Sequence, residues 1–121
     1  MLKKYLASYK YAIRGIFFAF RNEGNMTIHL LSAIGVLIVN YVLGISRTDW
    51  LITLVLIGMV FMSEIFNTAI EVLANRVTLA HDPLIGQVKD LASGAVLFIG
   101  MTSAICAMII YWDYLHKLLF A

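Results

Sequence analysis

Glu64, Asn67, Glu71 and Asn75 stand three or four residues apart, just after the nearly unbroken apolar run Leu51–Met62. At about 100° per residue, a helix would gather these four side chains within roughly an 80° arc of one face. A charged side chain in hydrocarbon costs about 2.5–3.5 kcal/mol on insertion scales, so this face must meet protein or an aqueous pocket. Arg76 and Lys89 flank it in sequence, Asp90 follows, and Glu23 precedes the first long apolar run. Carboxylates beside a lysine suit one kind of chemistry. Mg²⁺ is held through a few hard oxygens and keeps substrate phosphates in its shell. A further carboxylate can accept the proton of an attacking hydroxyl, and these are the parts of phosphoryl transfer. Neither a Gly-x-x-x-x-Gly-Lys loop nor a glycine-rich kinase loop is present. Residue type and spacing therefore define a polar site at a membrane boundary. They leave a kinase and a non-enzymatic ion- or proton-handling subunit both open.

The elements that must carry this site follow from composition. The chain has 121 residues, 62% hydrophobic and 13% charged, with a mean hydropathy of +0.90. Apolar runs near 20 residues are long enough to cross about 30 Å of hydrocarbon. The fold class expected is all-α integral membrane: an N-terminal amphipathic surface helix plus three transmembrane helices in a single domain, 1–121. Residues 1–24 form the surface helix, with Leu6, Tyr9, Ile13, Ile16, Phe17 and Phe20 on one face and Lys3, Lys10, Arg14 and Arg21 largely on another. The polar stretch 22–25, with Gly24, reads as a bend. Spans are expected over 26–45, 50–76 and 89–112, with Thr48 or Asp49 capping the second and a polar loop over 78–87. Lys89-Asp90 opens the third span, which is rich in small residues; the pairs Gly100/Ala104 and Ser103/Ala107 predict close helix packing.

Five of the nine Lys and Arg lie in the first 21 residues, and seven of nine fall on the side of the N-terminus and the 76–89 segment. The positive-inside rule then puts the N-terminus and the site in the cytoplasm. No basic patch with interleaved aromatics lies outside the N-terminal segment, which argues against a nucleic-acid partner. The lone Cys106 excludes an internal disulfide. His29 in the first span reads as an interfacial histidine and His81, near Pro83, as a turn residue.

The block Glu64-Ile-Phe-Asn67-Thr-Ala-Ile-Glu71, then His81-Asp-Pro83-Leu, then Lys89-Asp90-Leu-Ala-Ser93-Gly-Ala-Val-Leu resembles the signature of the small prokaryotic diacylglycerol kinase and undecaprenol kinase family. Arg21-Asn22-Glu23-Gly-Asn25-Met-Thr-Ile-His29 is similar to that family's approach to its first span. The resemblance covers about residues 5–112. It implies a homotrimer in the bacterial inner membrane that phosphorylates a lipid alcohol from MgATP. By position, Glu64 would be the base on the lipid hydroxyl, and Glu23 and Glu71 would hold Mg²⁺. Asn67, Glu71, Lys89, Asp90, Glu23 and Arg14 would line the ATP site. Ser93 would join Glu64 at the lipid. Asn75 departs from the aspartate usual there, which keeps a hydrogen-bonding group and drops a charge. His29 and the His-Asp-Pro-Leu loop resemble the undecaprenol branch more than the diacylglycerol branch.

Overall fold

The computed structural model describes all 121 residues as four helices and no strand: α1 Leu2–Asn22, α2 Gly24–Leu43, α3 Arg47–Val77 and α4 Pro83–Phe120. The protein is an all-α membrane protein in which α2, α3 and α4 are each long and apolar enough to cross a bilayer. The most extensive packing is α3 on α4, and α1 rests on α2 and α3.

Each break has a local cause. Between α1 and α2 only Glu23 leaves helical geometry (φ −116°, ψ 113°), and its N–H still bonds the Ala19 carbonyl. The bend is therefore a single extended residue, and Gly24 is already the first residue of α2. Gly44, at φ 61°, closes α2. Its N–H bonds Tyr41 O while Ile45 N–H reaches Asn40 O, the Schellman arrangement that needs a left-handed residue.

Helix α3 starts at Arg47, and its cap is Ser46, whose Oγ accepts from Asp49 N–H at 3.1 Å. The expected caps, Thr48 and Asp49, lie inside the helix. The third span differs more. The break after α3 spans only Thr78–Asp82, and α4 begins at Pro83, so Lys89 and Asp90 sit within the helix instead of opening it. Asp82 Oδ1 accepts from Leu84 and Ile85 N–H at 2.9 and 3.2 Å. Pro83 at the first position forfeits an N–H that a helix leaves unpaired anyway.

Two polar ties set the antiparallel register of α2 against α3. His29 Nε2 lies 3.0 Å from Glu64 Oε1, and Asn40 Nδ2 donates to Thr53 Oγ1 at 2.9 Å. His29 and Asn40 are eleven residues apart on α2, and Glu64 and Thr53 eleven apart on α3. The two ties therefore lie about 16 Å apart along the bundle at 1.5 Å per residue. Asn40 is fully buried, and its Oδ1 also accepts from Tyr111 of α4. Tyr114, a turn further along α4, donates to Asp49 Oδ2 at 2.7 Å and accepts from Ser46 N–H at 3.0 Å. This network fixes the α2–α3 corner to α4 at the end of the bundle remote from Glu64.

At Gly100 no close approach occurs within one chain: a Cβ placed there would meet nothing within 4 Å. Gly100, Ser103 and Ala107 instead help line a cavity of about 240 Å³ between α2, α3 and α4.

Candidate active site at the membrane boundary

Helix α3 spans 31 residues, about 46 Å, which exceeds the hydrocarbon thickness of about 30 Å. The α2–α3 register puts the start of α2 opposite residues 69–70 of α3. Glu64 therefore lies inside the boundary that α2 defines, and Glu71 and Asn75 lie at or beyond it. Glu23, at the α1–α2 junction, arrives opposite Glu71.

Glu64 is 1% exposed. Its Oε1 meets His29, while Oε2 is buried with no hydrogen-bond partner. One turn on, Asn67 is buried and its Oδ1 is likewise unpartnered. Native interiors leave few polar atoms in this condition, and each calls for a water, an ion, a ligand or a catalytic role. The Thr68 hydroxyl is spent on the Glu64 backbone carbonyl at 2.9 Å, so it does not serve the carboxylate.

Partial burial, and then the neighbouring Glu71 carboxyl with the charge of Glu64, push the Glu23 carboxyl above its ordinary range. Two carboxyls face to face are stable when they share a proton or a cation. No group of three or more His, Cys, Asp and Glu side chains gathers here. Mg²⁺ asks for fewer, since one or two carboxylates plus phosphate and water oxygens complete its octahedron. The donor set of Glu23 and Glu71 therefore fits that ion.

Lys89 Nζ donates to Asn75 Oδ1 at 2.7 Å and joins α4 to α3 on the water side of the carboxyls. Asn75 thus engages the lysine without neutralising it. Three expected residues are not drawn into the cluster. Asp90 and Ser93 are exposed on α4. Arg14 is exposed on α1, its guanidinium carbon 5.4 Å from the centre of the Tyr11 ring. His29 joins the site although its type and position had suggested an interfacial residue. The available signal was depth: buried Glu64 needs a partner, and His29 is a strongly polar side chain early in the apolar stretch of the neighbouring helix.

These features define a small all-helical membrane protein with a buried carboxylate at the bilayer boundary and a carboxyl pair with an amide-held lysine above it. The family model described as prokaryotic diacylglycerol kinase matches residues 10–111. The undecaprenol kinase of Bacillus subtilis is 36% identical over 110 residues, covering 91% of this chain and 89% of that protein. The diacylglycerol kinase of Pseudomonas aeruginosa is 30% identical over 101 residues, covering 84% and 81%. The chain belongs to the prokaryotic diacylglycerol kinase family. It is a membrane lipid kinase, with ATP as co-substrate.

Proposed function

We propose that the protein phosphorylates undecaprenol to undecaprenyl phosphate at the cytoplasmic face of the bacterial inner membrane, with Glu64 as the base. The observation that carries this reading is the Glu64 carboxyl: fully buried in an apolar helix, held by one oxygen and free at the other. A group so placed meets a hydroxyl arriving laterally from the bilayer, not one arriving from water. Removal of the hydroxyl proton lets the oxygen attack the γ-phosphorus of ATP, and most of the remaining catalysis is positioning and charge.

Lys89, at the water end of the cluster, pairs with the phosphates, and Asn75 holds its ammonium there without cancelling its charge. Glu23 and Glu71 would hold Mg²⁺, whose charge, when bound, offsets that of the phosphates. The Asn67 side chain, with an unused oxygen, faces the nucleotide from the same helix face. Asp90, Ser93 and Arg14 are proposed to approach the substrates when subunits assemble, since the site is shared in a homotrimer on this reading.

The choice of undecaprenol is supported by the greater identity to the Bacillus protein and by His29 with the His-Asp-Pro-Leu loop. Side-by-side assay of undecaprenol and diacylglycerol in mixed micelles with MgATP tests it. The expected result is a higher kcat/KM for undecaprenol. A higher value for diacylglycerol reverses the acceptor assignment.

A further inference from the structure

His29 is the one polar side chain in the cluster to which phosphoryl transfer has so far given no task. It is the sole side-chain hydrogen-bond partner of Glu64, at 3.0 Å through Nε2. An ionised carboxylate taken out of water costs several kcal/mol unless it is paired and hydrogen-bonded. An ionised Glu64 can only accept a hydrogen bond, so the contact places the ring proton on Nε2. The rest of the imidazole forms part of the wall of the apolar cavity between α2, α3 and α4, together with Val36, Leu56, Val60 and Gly100. The ring therefore stands between the buried carboxylate and an apolar space, and it can fix the carboxylate's rotation from one side only.

We infer that His29 is a positioning residue for the transfer: Nε2–H fixes Glu64 Oε1, so that Oε2 is the oxygen left to meet the acceptor hydroxyl. The inference rests on the lipid-kinase reading with Glu64 as base. In the step itself the acceptor O–H bond breaks and its proton forms a new O–H bond on Oε2. The acceptor oxygen's electron pair forms the bond to the γ-phosphorus. The bond from that phosphorus to the bridging oxygen breaks, and its pair leaves with ADP. Glu64 then releases the proton to water. His29 gains and loses no proton; it sets which oxygen reacts and where that oxygen points. Misplacement of a reacting group by about 1 Å can cost on the order of 10²-fold in rate.

The test uses the full chain in lipid–detergent micelles as wild type, Glu64→Gln, His29→Ala and His29→Gln, the last keeping an N–H donor of similar reach. Lipid phosphorylation gives kcat and KM for ATP and for undecaprenol. Nitrogen-15 NMR of labelled histidine reads the Nε2 contact without reference to turnover. The expected result is a His29→Ala kcat lower by about 10–100-fold with KM for ATP nearly unchanged. Substantial recovery is expected in His29→Gln, and the His29 Nε2 resonance should move in Glu64→Gln. Near-normal kcat in His29→Ala overturns the inference. So does a folded His29→Gln no better than His29→Ala, or an Nε2 resonance indifferent to Glu64→Gln. If His29→Ala does not fold, the glutamine variant and the spectrum decide: a slow His29→Gln or an unmoved resonance overturns it. Wild-type protein that phosphorylates no lipid refutes the kinase reading itself. Active wild type, inactive Glu64→Gln and unaffected His29→Ala refute the role of His29 alone.

Discussion

At the scale of single residues, the site separates into the buried Glu64 carboxyl, proposed as the base, and a carboxyl pair at the water boundary. Glu23 has the clearer consequence for pH. Its carboxyl is raised by burial and by Glu71, so the fold favours its protonated form. Its contribution to stability is full below the ordinary carboxylate pKa and is lost as pH rises through the raised value. In metal-free protein the melting temperature should therefore fall over that window, and Mg²⁺ should reverse the fall at neutral pH while changing little in acid. Thermal denaturation in detergent, with chelator against saturating Mg²⁺, measures this; a Mg²⁺ effect equal at both pH values contradicts it. Lys89→Met should raise KM for ATP by about tenfold or more, since the proposed charge-assisted phosphate contact, of about 1.5–3 kcal/mol, is removed. An unchanged KM removes Lys89 from the nucleotide. The face shared by Glu64, Asn67 and Glu71 was legible in the sequence because helical periodicity alone sets it. The His29–Glu64 contact was not, because it depends on the register of one helix against another, which no local pattern encodes.

At the scale of elements, the three long helices were legible as apolar runs, while their ends were less so. Hydropathy reports where a chain leaves the hydrocarbon, not where a helix stops. Gln87, Lys89 and Asp90 are polar enough to suggest a loop, yet α4 runs through them from the Asp82–Pro83 start. Likewise Thr48 and Asp49 compete with Ser46 as caps, and only the backbone geometry shows Ser46 accepting the bond. Loss of the cap in Asp82→Ala should cost about 1 kcal/mol of stability, seen as a lower melting temperature, and should leave KM for ATP close to wild type. The remote Asn40 network gives a contrasting test. Asn40→Ala strands the Tyr111 hydroxyl, whereas the Thr53 hydroxyl keeps its bond to the Trp50 carbonyl, and an unsatisfied buried group costs about 1–3 kcal/mol in water-soluble proteins but less in bilayers. Stability should fall and kcat should hold, because the network lies about 16 Å from Glu64 along the bundle. A loss of kcat at constant stability would show that the far corner is coupled to the site.

At the scale of the whole molecule, one chain is a thin bundle. Only 12 of its 121 residues are buried, too few for a single copy to enclose a nucleotide. Arg14, Asp90 and Ser93, exposed and proposed for the site, and the open space beside Gly100 lie on surfaces that another subunit can cover. Cross-linking of active protein should therefore trap oligomers, and the resemblance to the family sets the expected species as a trimer; monomers alone in active preparations would contradict a shared site. The account as a whole depends on Glu64. Its most direct test is transfer of radiolabelled γ-phosphate from ATP to undecaprenol by purified wild type and Glu64→Gln, each checked for the same helical content and oligomeric state. Labelled lipid from the wild type and none above background from Glu64→Gln is the predicted result. Near-normal labelling by Glu64→Gln would contradict it.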